Sequence, residues 1–364
     1  MRKLLCILIL LPIFVYGTYA KAFDGYTEDI IDKNLIYENL DEREKEIVGQ
    51  VSFDGGYDVK SAMYRLYKNI LSSLKENLEN ELGFAMQFVG VATLATLATS
   101  VSADKRINIV INMICCAAVA LMIAGDLDSV VNQAYSSVLK LSDYSKAAMP
   151  AIFSAAAASG APASSAAKYA AASMAIDLLI SAANKIILPF INLFICVSVS
   201  RSLSDNSIIT ALSKFLKWII CATMTAMTTA FTAYISFTGL ISGSVDAAAV
   251  KTTRTIIANG VPVVGKIISD ASSVVLAGAA MVKNTAGVAS MLAVCALCVS
   301  PFMALAVKML VFKAGAAVVE MLPSGKIAAL LNDFGTAFGM LLGLLGCCGV
   351  MLFVSIISGI KVLI

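Results

Sequence analysis

The chain has 364 residues, of which 59% are apolar and 14% are charged, and its mean hydropathy is +0.86. Soluble domains carry roughly 25% charged residues, so this composition indicates an integral membrane protein. Histidine is absent from the sequence, which excludes His-ligated zinc or haem and catalysis by Ser-His or Cys-His pairs. The sequence has no basic tract of the kind that binds nucleic acid.

Residues 1–22 have the pattern of a secretory signal peptide. Arg2 and Lys3 precede an apolar stretch, and Ala20 and Ala22 offer two cleavage sites. An apolar stretch of about 7–15 residues is too short to span a bilayer. We therefore expect the residues that follow to lie outside the cytoplasm, whether the peptide is cleaved or kept as an anchor.

Residues 23–82 are predicted to form a small, acidic exported head. Between residues 21 and 82 the sequence has 14 acidic residues against 8 basic ones. From Val59 to Leu82 apolar residues recur at steps of three and four, which predicts an amphipathic helix. This helix is expected either to pack on the membrane domain or a partner, or to lead along the interface into the first span.

Residues 83–364 are predicted to form a polytopic membrane domain, an all-α bundle of about five to eight transmembrane helices. Two uncharged stretches, 83–103 and 107–125, are separated only by Asp104, Lys105 and Arg106, which predicts a tight helical hairpin. Residues 126–146 are amphipathic and are expected at the surface. The Ala-, Ser- and Pro-containing stretch 147–167 is expected to be a re-entrant or broken helix buried in protein.

The rest of the chain alternates apolar and polar stretches. Further spans are expected over 169–200, 218–243, 284–307, 309–319 and 334–360, with a basic amphipathic connector over 201–217. The distribution of Lys and Arg leaves the orientation of the late loops open. The nine cysteines lie in apolar stretches, which favours packing over disulfide or metal chemistry. Gly335, Gly339 and Gly343 suit close helix packing within the chain or in a homo-oligomer.

Four polar residues share one face of the predicted span 169–200. Asp177, Ser181, Asn184 and Lys185 stand at i, i+4, i+7 and i+8, which places them in one stripe at helical spacing. Ionisable residues within a span usually face a bundle interior or a water-filled path. Two interpretations stay open: the stripe lines a conduit or contacts another helix, or Asp177 and Lys185 form an internal pair that only holds the bundle together.

The segment 243–287 interrupts the apolar second half of the chain with charges, glycines and a proline. Charge and helix breakers beside a bilayer are costly, so we interpret this segment as an assembly surface or a conduit wall. Its candidate residues are Asp246, Pro262, Gly265, Asp270, Lys283 and Asn284. Residues 260–266 satisfy the GxxxxGK pattern, but Ile267 follows where a P-loop needs Ser or Thr, which disfavours nucleotide binding.

The order and spacing of several short motifs in this segment form a pattern. They are Gly-Ser-Val-Asp at 243–246, Thr252, Val-Pro-Val-Val-Gly at 261–265, Ser-Asp-Ala at 269–271, Lys-Asn at 283–284, and Gly287. With them, the chain resembles the stage III sporulation protein AE family of endospore-forming bacteria. The resemblance extends more loosely over the signal peptide, the acidic head and the polytopic body.

The resemblance implies a non-enzymatic subunit of the channel or secretion-like complex between mother cell and forespore, required for late forespore development. It implies partners among the other stage III A sporulation proteins and a forespore membrane protein, and no cofactor. The chain would lie in the mother-cell membrane around the forespore, with its head outside the cytoplasm. Taken alone, the residues also suit a secondary transporter or permease with a midplane site near the broken helices at 147–167 and 260–266.

Overall fold

A computed structural model describes residues 40–49, 59–101, 104–158, 162–204, 206–260, 264–322 and 325–360, with the backbone alone for 105, 236–286 and 325. The regular elements in these ranges are helices, which confirms the all-α prediction for them. They are α1 (Glu42–Val48), α2 (Val59–Val101), α3 (Lys105–Ala158), α4 (Pro162–Ala182), α5 (Leu188–Leu203), α6 (Ser207–Gly260), α7 (Val264–Glu320) and α8 (Gly325–Ile360), with a π-helical segment at Ala183–Ile187 between α4 and α5. The predicted signal peptide, 1–22, lies outside the described residues.

Six helical stretches of the described chain are long and apolar enough to cross a membrane, within the predicted range of about five to eight. They are Val59–Val101, Arg106–Ala158, Pro162–Leu203, Ser207–Ile235, Gly287–Glu320 and Lys326–Ile360. A transmembrane helix needs about 20 mostly apolar residues. This is the pattern of a multi-pass membrane protein.

Helices α7 and α8 form an antiparallel pair at the centre of the bundle. The apolar window of α8 is 78% buried, because this helix is apolar on nearly all sides and other helices surround it. A Cβ atom added at Gly335 would stand 2.9 Å from Cγ of Lys313, and one added at Gly349 would stand 3.5 Å from Sγ of Cys298. These small residues let the two backbones approach closely.

A cluster of phenylalanines ties α2 to this pair. The ring of Phe312 lies 5.0 Å from the rings of Phe88 and Phe338 and 6.3 Å from that of Phe334, between centroids. These separations are those of favourable aromatic pairs. The cluster fixes α2 against both α7 and α8.

Helix α2 ends at Val101, α3 begins at Lys105, and the two helices contact each other, so the predicted hairpin is confirmed. Both helices continue further than predicted. Helix α2 crosses the proposed boundary between head and membrane domain at 82–83, and α3 continues through the amphipathic stretch 126–146. No proline stands at either boundary, and a helix keeps its backbone hydrogen bonds when its surroundings change from apolar to polar.

The two segments predicted to be broken are helical on both sides of a short gap. Around 147–167, α3 passes through Pro150 and ends at Ala158, and α4 begins at Pro162, a position where proline suits the helix start. Most side chains from Ala148 to Ala156 are buried in protein. In 243–287, α6 extends to Gly260 and α7 begins at Val264, so the polar segment consists largely of two helix ends.

The short helix α1 lies within residues 23–82, the predicted head, and docks on the bundle. The backbone N–H of Asp41 donates to the Glu44 carboxylate at 2.7 Å, which closes the first turn. Gly49, with φ +72°, ends the helix in the left-handed region that glycine adopts freely. Leu40, Ile47 and Val48 are buried, and Lys140 of α3 lies 2.7 Å from the Asp41 carboxylate.

The two ends of the bundle differ in charge. We call the end with α1 the head end. The opposite end, the basic end, contains the α2–α3 and α7–α8 connections and the junction of α5 with α6. Its described charged side chains are Arg106, Arg201, Lys214, Lys217, Lys313 and Lys326 against Asp104, Glu320 and Asp333.

Candidate functional site

The predicted polar stripe lies on the outside of the bundle. Asp177, Ser181, Asn184 and Lys185 are all exposed. The ion-pair partner that the structure shows for Asp177 is Lys146 of α3, at 3.9 Å, with side chains 66% and 61% exposed. The stripe therefore faces outward from a helix that is long and apolar enough to span a membrane.

The π-helical segment contains the C-terminal half of the stripe. It covers Ala183–Ile187, so Asn184 and Lys185 stand on its widened turn. Pro189 follows at the start of α5. Proline has no N–H to give to the carbonyl four residues earlier, that of Lys185, and its ring would clash with that carbonyl in a regular α-helix. The wider turn accommodates the proline, and such turns are frequent at functional sites.

A partly buried ion cluster, which was not predicted from the sequence, joins α2, α3 and α7. The ammonium of Lys308 lies 2.5 Å from a carboxylate oxygen of Glu81 and 2.5 Å from one of Asp126. The side chains of Lys308 and Glu81 are each 13% exposed, and that of Asp126 is 42% exposed. One cation thus bridges two acids on neighbouring helices.

The sequence did contain a sign of this cluster. Glu81 and Asp126 stand just outside the two uncharged stretches of the α2–α3 hairpin. Each stretch of about 20 residues is about 30 Å long, the thickness of the hydrocarbon core. An antiparallel hairpin brings both acids to the same level, at the end of the two stretches away from the turn.

A second cluster, the basic cluster, lies at the basic end and consists of Arg201, Lys217, Lys313 and Asp333. The Arg201 guanidinium lies 2.6 Å from the Asp333 carboxylate, with side chains 24% and 9% exposed. The ammonium of Lys313 donates to side-chain oxygens of α8, at 3.0 Å and 3.3 Å. Lys217, exposed on α6, is near enough for its charge to act on both Lys313 and Asp333. The cluster joins four helices, so no local motif could predict it.

A family model described as stage III sporulation protein AE matches residues 44–361. The chain belongs to the stage III sporulation protein AE family. The sequence-based resemblance is therefore confirmed, and the matched range contains the stripe, both charged clusters and the segment 243–287.

One curated relative within the family is stage III sporulation protein AE of Bacillus subtilis (strain 168). It is 25% identical over 173 residues, which are 47% of this chain and 43% of the relative. The alignment thus spans less than half the length of the relative it matches. No solved structure matches the chain.

Most of the remaining predicted residues lie where only the backbone is described. Asp246 stands on α6, and Gly265, Asp270, Lys283 and Asn284 stand on α7. Pro262 lies outside the described residues. The role of these residues as an assembly or conduit element stays a prediction.

No cluster of three or more Cys, Asp or Glu side chains able to hold a metal ion occurs in the part of the chain that the structure describes. The eight cysteines described there, Cys115, Cys116, Cys196, Cys221, Cys295, Cys298, Cys347 and Cys348, are free thiols.

Proposed function

We propose that this chain is a non-enzymatic integral membrane subunit of a channel or secretion-like complex that crosses the envelope between mother cell and forespore. The observation that carries the proposal is the family match over residues 44–361. Six candidate spans support a role inside a membrane. In this role the subunit is required for late forespore development.

We further propose that the basic end faces the mother-cell cytoplasm and the head end faces the space between the two membranes. Lys and Arg are enriched on the cytoplasmic side of membrane proteins. The described charges at the basic end are mostly cations, whereas α1, at the other end, begins with acidic residues. Six spans that start outside the cytoplasm also end outside it, which places the end of α8 at the head end.

The stripe of Asp177, Ser181, Asn184 and Lys185 is the proposed contact surface of this subunit. Charged side chains that face lipid in a membrane span are costly, so an outward stripe is best satisfied by another protein or by water. We propose that another stage III A protein, a forespore membrane partner or a second copy of the chain covers it. The segment 243–287 is proposed as a further assembly or conduit element.

The proposal is tested by deleting the gene and following sporulation. Development is expected to stop after engulfment, and affinity capture of the tagged wild-type chain is expected to recover other sporulation membrane proteins. Complementation with a chain carrying Asp177→Leu and Lys185→Leu tests the stripe. Its matched control is Lys75→Leu, an exposed lysine on the polar part of α2. Normal sporulation of the deletion strain would contradict the proposed function.

A secondary transporter or permease is the competing proposal. The π segment and the break between α3 and α4 are the features that favour it, since transporters place substrates at interrupted helices. It predicts that Asp177→Asn or Lys185→Ala abolishes solute uptake by vesicles while the complex still assembles. The subunit proposal predicts instead that these variants lose assembly and that the wild-type protein itself takes up no solute.

A further inference from the structure

Helix α1 is too short to be stable without the bundle. It has seven residues, from Glu42 to Val48, and five of them are charged. An isolated helix shorter than about 12–15 residues is marginal in water, because the first turn is costly to form. We therefore expect α1 to be helical only while it is docked, so that its folding and its docking are one event.

The two ends of α1 are held by side chains from two other helices. At the start, the Asp41 carboxylate lies 2.7 Å from the ammonium of Lys140 on α3. At the end, the guanidinium of Arg65 on α2 donates from Nε to the carbonyl of Ile47, at 3.2 Å, and from Nη2 to that of Val48, at 3.4 Å. Carbonyls in the last turn have no partner within their own helix. Helix α1 also packs on α7, so it ties three helices together.

The docked contact of α1 has a small buried part. Of residues 40–49, only Leu40, Ile47 and Val48 are buried. The ion pair at the start of α1 has side chains that are 53% and 69% exposed, and exposed ion pairs contribute little stability. Docking orders ten residues, and the entropy cost of ordering them opposes the gain from burying three apolar side chains. Elements with so few buried contacts open independently of the core.

The ion cluster around Lys308 ties the same three helices at another place. Arg65 stands 16 residues before Glu81 on α2, and Lys140 stands 14 residues after Asp126 on α3. At about 1.5 Å per residue, the contacts of α1 are about 21–24 Å along the bundle from Lys308. The three helices thus have two ties, one made of side chains of the bundle and one made of a short helix that is able to leave.

We propose that α1 is a releasable strap. It undocks and unfolds as a unit while the rest of the bundle stays folded, and its release loosens the part of α2 that precedes Glu81. A molecule that binds α1 only in the released state shifts the equilibrium towards release. Under the orientation proposed above, this switch faces the space between the two membranes. The strap itself does not depend on the proposed function.

Hydrogen exchange of the unmodified chain tests whether α1 opens by itself. Purified full-length protein is placed in lipid nanodiscs, and amide exchange is followed by mass spectrometry. The reference is residues 130–138 of α3, which bury one face and expose the other. We expect residues 45–49 to exchange at least about 100-fold faster than this reference, because α1 opens without global unfolding. Equal protection of both segments would overturn the proposal, as would exchange of residues 45–49 at the rate of an unstructured peptide.

A substitution of Arg65 tests what holds the strap. Arg65→Gln removes hydrogen bonds from a charged donor, so we expect exchange of residues 45–49 to accelerate at least about tenfold while the α3 reference is unchanged. The matched control is Arg43→Gln, an exposed arginine on α1 itself, which is expected to change neither segment. An unchanged rate in Arg65→Gln would contradict the proposed contact. Equal acceleration of both segments would indicate a loss of global stability and would also contradict it.

A double variant tests what the strap does to α2. Ile47→Ser with Val48→Ser removes the buried face of α1 and is expected to keep the strap released. Exchange of residues 60–80 of α2 is then expected to accelerate at least about fivefold, with residues 88–98, beyond the ion cluster, unchanged. Unchanged exchange of residues 60–80 would show that α1 does not hold α2. These measurements need no partner protein, so their outcome is separate from that of the proposed function.

Discussion

Replacement of Lys308 by glutamine is expected to destabilise the bundle more than any surface charge change. The substitution leaves the carboxylates of Glu81 and Asp126 facing each other without the cation that now lies 2.5 Å from both. Breaking a fully buried pair by removing one partner costs about 3–5 kcal/mol. Because Asp126 is 42% exposed, water screens part of this cost, and we expect a loss of about 2–3 kcal/mol.

The change is measured as the free energy of unfolding in mixed detergent–SDS micelles, followed by circular dichroism. The matched control is Lys75→Gln, whose ion pair with Glu79 is long, at 3.9 Å, and whose side chain is 77% exposed. Such pairs contribute about 0–1 kcal/mol. If the two lysine variants lose the same stability, the ion cluster does not hold α2 and α3 against α7.

A triple variant tests the electrostatic cause separately from packing. Combining Lys308→Gln with Glu81→Gln and Asp126→Asn removes all three charges and keeps similar shapes. Neutral amides in place of an ion cluster can be close to neutral for stability. We expect the triple variant to recover most of the loss. A triple variant no more stable than Lys308→Gln would show that lost packing, rather than unpaired charge, caused the effect.

Three further predictions concern packing, assembly and pH. Gly335→Ala is expected to be about 1–2 kcal/mol less stable than Gly315→Ala, because its Cβ meets a neighbouring side chain at 2.9 Å whereas that of Gly315 meets nothing within 4 Å; equal stability in the same unfolding assay would contradict the close α7–α8 packing. Asp177→Asn is expected to cost under about 1 kcal/mol but to reduce affinity capture of partners, since its ion pair is exposed; undiminished capture would exclude Asp177 from the contact. Partial burial raises the pKa of Glu44 above its ordinary value of 4.5, so ionisation of Glu44 opposes docking of α1. Below pH 4.5 the docked and undocked states are both protonated and docking has no ionisation cost. A free-energy cost of docking develops as pH rises through the raised pKa. Protease accessibility of the head is therefore expected to rise across that window in the wild-type protein and not in Glu44→Gln, and identical profiles would contradict this.

The sequence by itself determined the class of the protein, its helical hairpin and its family. Long uncharged stretches can bury their backbone polar groups in lipid only as helices, so composition and spacing were enough to predict an all-α membrane bundle. The family motifs in 243–287 were local and therefore readable in the sequence. The stripe of Asp177 to Lys185 was also visible, because helical periodicity places its members on one face.

Which way that face points was decided only by the tertiary structure. Periodicity defines a face but does not say which neighbours pack against it, and here Lys146 of another helix, rather than Lys185, pairs with Asp177. The same limit applies to Lys308 and to Arg201, whose partners lie on helices far away in the chain. A charged residue within an apolar sequence implies a free-energy cost of removing that charge from water. Only the packing of the helices shows which opposite charge offsets this cost.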